Sequence, residues 1–296
     1  MQATTTAMQG KVCLITGATS GIGLVTAREL ARQGARVLLV GRNPHKCADT
    51  VEQIRAGTGN RQVEALLADL SSQEQIRALA RQLQERSPRL DVLINNAGGL
   101  WLKRELTVDG LEMTFAVNHL AYFLLTHLLL DTLQASVPAR IVNVASYAHF
   151  KATLDFDNLQ GERGYHGWQA YCRSKLANVL FTYELARRLA GTGVTANALH
   201  PGWVATSFGG NNGWRGRLLQ LAARVKGISP DAGARTILYL ATAREVEGVT
   251  GQYFDQEQSV RSSPASYDEA TAKRLWQVSL ELTHLGSVVG DLQHGQ

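Results

Sequence analysis

Cysteine is scarce and poorly placed for bridging. The chain of 296 residues carries three, Cys13, Cys47 and Cys172, an odd number at wide separations with no Cys-x-x-Cys pair. That argues against a disulfide framework and a thiolate zinc site, and a reducing compartment is the simplest reading. The eight histidines lack metal-ligand spacing, so no metal is expected. No long run of like charges occurs. The formal charge of +5 is a mild excess that suits an anionic small ligand, and no nucleic-acid partner is expected.

A long, purely apolar run is also missing. Met113 to Leu133 is interrupted by Asn118, His119 and His127, so it reads as a buried helix rather than a membrane span. Met1 to Lys11 is short and polar, without a basic segment leading into an apolar core, so no signal peptide is expected. Internal repeats and low-complexity linkers are absent. With 45% hydrophobic residues the chain can bury a sizeable core, as one large domain or two small ones.

What is present is a strict alternation. Val12 to Thr16 is an apolar run, followed by the turn Gly17-Ala18-Thr19-Ser20-Gly21-Ile22-Gly23, a helical pattern to Gln33 with Gly34 as its stop, and a second apolar run from Arg36 to Val40. Further strands are predicted at Val63–Ala68, Asp91–Asn95, Arg140–Ala145, Val194–Leu199 and Gly251–Phe254. Helices are predicted from Asn43-Pro44 to about Ala56, from Ser71 to about Glu85, over about Gly110–Leu133, from Tyr171 to about Leu189, and from a Ser266–Glu269 cap to about Leu282. The pattern predicts an α/β fold: one doubly wound Rossmann domain over residues 1–296, with a parallel sheet of about seven strands.

The first turn is built for a dinucleotide. Glycines let the backbone approach a pyrophosphate, and the helix starting near Ile22 offers free N–H groups and a positive dipole end. A tight turn without ligand has the same glycines, but the βαβ context favours binding. At the end of the second strand, Val40-Gly41-Arg42 has no acid for a ribose hydroxyl and a guanidinium suited to a 2′-phosphate. NADP(H) is therefore expected in preference to NAD(H).

One further pair carries chemistry. Tyr171 and Lys175 lie one helical turn apart on one face. A nearby ammonium favours the phenolate, and a lowered pKa would make the phenol a usable acid/base. Alone, the pair is weak evidence, and a surface helix contact is the simpler reading.

Taken together, these motifs resemble the short-chain dehydrogenase/reductase family. The resemblance covers about residues 10 to 255. Thr16-Gly17-x3-Gly21-Ile22-Gly23 matches the cofactor turn, Asp69 the adenine contact, Asn95-Asn96-Ala97-Gly98 the fourth-strand motif, and Pro201-Gly202 with Thr206 the segment near the nicotinamide. The resemblance implies catalytic roles for Asn118, Ser146, Tyr171 and Lys175. It implies cofactor contacts from Gly17, Ser20, Gly21, Ile22, Gly23, Arg42, Asp69, Leu70, Asn95, Ala97, Gly98, Tyr171, Lys175, Pro201, Gly202, Val204 and Thr206. Val117–Leu120, Asp155–Leu159, His200–Val204 and Ser262–Ser266 look most like retinol-dehydrogenase-like members. Two features depart from that pattern: the hydrophobic N-terminal anchor of many animal members is lacking, and Ser20 stands where many NADP members have a basic residue.

By this resemblance, Tyr171 exchanges a proton with the substrate oxygen, Lys175 lowers its pKa and holds the ribose, Ser146 bonds the substrate oxygen, and Asn118 supports a water-linked proton path. His200 reads as a packed histidine and Cys172 as inert. The expected enzyme interconverts a lipophilic, retinol-like alcohol and its aldehyde or ketone. Alternatives are reduction of a pigment-like carbon–carbon double bond, or dinucleotide sensing without turnover.

Residues 203–230 are expected to meet the substrate. Trp214, Leu218, Leu221, Ala222 and Val225 form one helical stripe between glycines, which fits a lid over a lipophilic substrate, an ordinary surface helix, or peripheral membrane contact at most. The protein is expected to be cytoplasmic. The apolar faces of the long helix and the Tyr171 helix permit the helix-bundle homodimer that the resemblance implies.

Overall fold

Val12 to Thr16 is apolar throughout because both its faces are covered. Leu14 belongs to one core cluster, whereas Cys13 and Ile15 belong to another on the opposite side of the sheet. A strand buried on both faces needs apolar residues at successive positions, as parallel sheets do. The computed structural model describes residues 7–203 and 227–286, and this strand, β1, is near the middle of its sheet.

The sheet has eight strands in the order β3-β2-β1-β4-β5-β6-β7-β8. They are β1 (Val12–Thr16), β2 (Arg36–Gly41), β3 (Val63–Leu67), β4 (Val92–Asn95), β5 (Ala139–Val144), β6 (Val194–His200), β7 (Tyr253–Asp255) and β8 (Gln258–Val260). All neighbours are parallel except β8, which is antiparallel to β7. The seven parallel strands agree with the sequence expectation. The eighth is a three-residue exposed strand behind a turn at Gln256 and Glu257, both at positive φ, and has no apolar alternation to reveal it.

The helices are α1 (Gly21–Arg32), α2 (Pro44–Thr58), α3 (Gln73–Arg86), α4 (Met113–Phe115), α5 (Ala121–Leu128), α6 (Leu130–Gln134), α7 (Gly167–Arg188), α8 (Pro230–Thr242) and α9 (Glu269–Leu282). Asn43 caps α2 by accepting from the Lys46 amide at 3.0 Å, with proline following. Ser72, not Ser71, caps α3. The single long helix expected over Gly110–Leu133 is broken: a π-helical turn, Ala116–Leu120, joins α4 to α5, and Leu129 leaves helical geometry before α6. Helix α8 went unpredicted, although Ser229 caps it ahead of a proline.

Helix α9 begins later than expected. Asp268 is its cap, and residues Pro264–Tyr267 form a 3₁₀ turn. Its buried face, with Leu275 and Trp276, lies on α5 and α7; the Trp276 ring is 5.2 Å from that of Phe123 and 5.9 Å from that of Phe181. Ser279 Oγ is 3.0 Å from His119 Nε2. Helix α9 thus covers apolar surface on the two helices from which a homodimer was anticipated. Among the described residues no helix is long and apolar enough to cross a membrane.

Candidate active site

The carboxyl ends of β1, β4, β5 and β6 converge where the strand order reverses between β1 and β4, the usual place for a ligand in an open α/β sheet. Gly17 leaves β1 at φ +66°. A side chain at Gly23 would collide with the Gly17 carbonyl and come 2.6 Å from Asn96 Nδ2, so α1 can approach the turn only with glycine there. Ser20 precedes α1 and makes no side-chain cap to it, which leaves the first helical N–H groups directed at the turn. Asn96 fixes this geometry by donating to the carbonyl of Thr16 at 2.7 Å, while Thr16 Oγ1 accepts from the amides of Asn96 and Ala97 at 2.9 and 3.0 Å. Asn96 is a positioning residue that the sequence reading quoted within its motif but left out of the site.

The residues assigned to the cofactor do not all face this groove with their side chains. Arg42 is exposed beyond β2 and sits 3.9 Å from Asp69. Asp69 accepts from Ser71, and Leu70 packs on the core. Ile22 is half-buried, Ala97 half-buried and Gly98 exposed at the end of β4. Asn95 is different: it is fully buried and donates to Asn143 Oδ1 at 2.8 Å and to Thr126 Oγ1 at 3.1 Å. Its side chain ties β4 to β5 in the core, so it offers a ligand only its backbone. Pro201 and Gly202 follow β6 at the same edge. Val204, Thr206 and most of the expected lid, residues 204–226, lie outside the described residues.

The catalytic candidates do come together. Ser146 stands just beyond β5 and its hydroxyl hydrogen-bonds the phenol of Tyr171 on α7. Lys175 is one turn further along α7. Its Nζ donates to the Val144 carbonyl at 2.9 Å and lies 5.8 Å from the centre of the Tyr171 ring. Asn118 occupies the π-helical turn. It accepts from the Gly99 amide at 2.8 Å and donates to the Gly99 carbonyl at 2.9 Å and Ser174 Oγ at 3.0 Å. Asn178 of α7 donates to the Asn118 carbonyl at 2.9 Å, and a side chain inserted at a helical carbonyl is one recognised cause of such irregular turns. Gly98 bridges the group: a Cβ there would lie 3.1 Å from Asn118 Oδ1 and 3.6 Å from Lys175 Nζ.

Burial governs the proton affinities. It pushes the Tyr171 phenol up to about 12, with the Ser146 hydrogen bond pulling the other way. It also pushes Lys175 down to about 7. The phenol therefore lies above its ordinary value, not below it as anticipated, because its own burial disfavours the phenolate. His200 is held below its ordinary value by burial and accepts from the Tyr147 amide at 3.2 Å. Cys172 is buried, and burial raises its thiol.

This constellation can be set beside known proteins. A family model described as short chain dehydrogenase matches residues 11–213. The chain belongs to the short-chain dehydrogenase family. Human retinol dehydrogenase 13 is 45% identical over 284 residues, 93% of this chain and 85% of the human protein. Among solved structures, a protein from Mycobacterium paratuberculosis superposes with a TM-score of 0.75 at 35% identity, covering 93% of this chain and 94% of the other. The Pseudomonas aeruginosa RhlG/NADP active-site complex does so with a TM-score of 0.68 at 29% identity, covering 86% and 97%. As a short-chain dehydrogenase of the retinol-dehydrogenase-like kind, the protein is an oxidoreductase that interconverts alcohols and carbonyl compounds.

Proposed function

We propose that the protein is an NADP(H)-dependent reductase and dehydrogenase of lipophilic, retinol-like alcohols and their aldehydes or ketones. The observation that carries this reading is the Ser146–Tyr171 hydrogen bond beside Lys175, at the carboxyl edge of the sheet and next to an uncapped helix N-terminus. The groove fits a dinucleotide phosphate: the α1 turn would hold the pyrophosphate, Arg42 the 2′-phosphate, and Lys175 the nicotinamide ribose. The relative solved with NADP supports the same cofactor. Bound nicotinamide supplies or accepts the hydride.

The chain's own residues handle the proton. A phenol held near 12 carries its proton at neutral pH, so Tyr171 is ready to donate to a carbonyl oxygen that becomes an alcohol. Ser146 orients that oxygen and stabilises charge growing on it. Asn118 and Lys175 flank Gly98, where a proton path to solvent would begin. At neutral pH the phenol is thus in the protonation state that carbonyl reduction uses.

Aromatic side chains at the rim argue for a lipophilic substrate. Trp168 stacks on Tyr171 at 5.6 Å, Tyr147 follows Ser146, and Trp203 follows Pro201-Gly202; all three are exposed. Segment 203–230 would complete this wall, within a single dinucleotide-binding domain. Residues packed under α9 favour a monomer over the helix-bundle homodimer. A cytoplasmic enzyme with at most peripheral membrane contact fits these features. The test is oxidation of NADPH and NADH by retinal, aliphatic aldehydes and steroids. Turnover of apolar carbonyls with NADPH, abolished by Tyr171→Phe without loss of NADPH binding, is expected. Full activity in that variant refutes the mechanism.

A further inference from the structure

The peptide group between Ser146 and Tyr147 is gripped at both polar ends by histidines from different parts of the chain. Its carbonyl accepts from His149 Nδ1 at 2.6 Å, besides the His149 amide at 3.2 Å. Its N–H donates to His200 Nδ1 at 3.2 Å. The tautomers follow from the partners. His149 Nε2 accepts from the Ser263 amide at 3.0 Å, so its proton is on Nδ1. His200 accepts at Nδ1, so its proton is on Nε2.

Both rings are themselves held. His149 is fully buried, packed on the Tyr253 ring at 4.8 Å. Through Ser263 it is tied to a buried hydroxyl chain in which Ser262 Oγ meets Tyr183 Oη at 2.6 Å and Ser266 Oγ at 2.7 Å. His200 ends β6, in register with Asp255 on β7. Burial favours the neutral form of each, to about 4 for His149, and neutral rings are what this donor and acceptor pattern requires.

We propose that His149 and His200 are positioning residues that clamp the Ser146–Tyr147 peptide and so aim the Ser146 hydroxyl at Tyr171 and the substrate oxygen. Ala145, whose amide donates to the Leu199 carbonyl at 2.9 Å, fixes the chain before Ser146, and a clamped peptide after it fixes the other side, so the Cα–Cβ bond of Ser146 is held from both ends. β5 ends at Val144, so the sheet's hydrogen-bond ladder does not hold the Ser146–Tyr147 peptide. This inference rests on the catalytic reading of Ser146.

The decisive comparison is between isosteric and polar replacements in the full chain, assayed for carbonyl reduction. His200→Leu removes the acceptor; His200→Asn restores one at the δ position; His200→Gln offers one only further out. His149→Phe and His149→Asn test the carbonyl end in the same way, since the asparagine amide can donate. We expect His200→Leu, His200→Gln and His149→Phe to lower kcat about 10- to 100-fold, the cost of misplacing a reacting group by roughly an ångström. NADPH binding should change less than about twofold, and His200→Asn and His149→Asn should recover most of kcat. Wild-type kcat in His200→Leu and His149→Phe, with Ser146→Ala inactive, overturns the clamp alone. Equal losses in all five histidine variants, accompanied by lost NADPH binding, also overturn it, because they mark general structural damage. A fully active Ser146→Ala instead removes the catalytic reading beneath it.

Discussion

Lys175 lies one turn from Tyr171 with its Nζ 5.8 Å from the ring centre, yet it gives its hydrogen bond to the carbonyl of Val144 at 2.9 Å. The two residues share a buried space. Burial separates their proton affinities from the ordinary values in opposite senses, so at neutral pH the phenol is protonated and the amine is close to half-titrated. A buried amine with no anion beside it among the described residues is a cost to the fold.

That cost has a defined pH window. The pKa of Lys175 falls from 10.5 in the unfolded chain to about 7 in the fold. Between those values the unfolded chain binds more protons, so this residue's contribution to stability rises with pH across the window. Its destabilising effect is complete below about 7 and gone above 10.5. Lys175→Met should therefore raise Tm relative to the parent in mildly acidic buffer, with the advantage shrinking to nothing as pH climbs through the window, while turnover is lost. Calorimetry across pH on the cofactor-free protein checks this. An equal Tm difference at every pH would show that the lysine is not desolvated.

Tyr171 gives the two reaction directions different pH profiles. Its phenol, raised to about 12, can donate over the whole neutral range but accepts a proton only as the phenolate. Alcohol oxidation should therefore gain in kcat/KM as pH rises, by up to about tenfold per unit where this ionisation limits the rate, whereas carbonyl reduction should lack that alkaline gain. Steady-state profiles in both directions, with the same alcohol–carbonyl pair, decide it. An oxidation plateau already reached at neutral pH would mean that the working enzyme lowers the phenol after all. Tyr171→Phe should cost about 10²- to 10⁴-fold in kcat.

These pairs show where sequence reasoning reaches and where it stops. The parallel strands were legible because burial on both faces forces continuous apolar runs, as in Cys13-Leu14-Ile15. Ser146, Tyr171 and Lys175 were legible from motif order, and the fold brings them together. The direction of a side chain was not: Asn95 belongs to the motif but turns into the core toward Asn143. Nor was the π-helical turn at Asn118, whose carbonyl meets the side chain of Asn178 sixty residues away. The sign of the Tyr171 shift was missed because desolvation is a property of packing, and no spacing reports it. The histidine grip on the Ser146–Tyr147 peptide needs His200, a strand away, to be seen beside it.

The proposed preference for NADP(H) rests on Arg42. It extends from the end of β2 with its side chain 71% exposed, and its nearest acid, Asp69, is 3.9 Å away, a weak surface contact. The guanidinium is thus open to a phosphate. Arg42→Ala should weaken NADPH binding about 10- to 100-fold, the worth of hydrogen bonds to a charged group, and leave NADH binding within about twofold. Fluorescence titration of both reduced nucleotides measures this. Equal losses for the two would place Arg42 against the common part of the dinucleotide and remove the argument for NADP(H).

Trp276 tests whether α9 is part of the globule or a removable cover. Its ring packs within 5.2 Å of Phe123 and 4.8 Å of His127, and the Arg188 guanidinium lies 4.2 Å above it. Truncating a buried tryptophan of this kind costs about 3–5 kcal/mol, so Trp276→Ala should lower the denaturant midpoint with a nearly unchanged slope. Because α9 lies on the faces of α5 and α7, a helix-bundle dimer would have to displace it, and the intact chain should sediment as a monomer. A stable dimer in the parent protein that survives Trp276→Ala would show that association uses a different surface. One that is lost in the variant would show that α9 itself forms part of the interface.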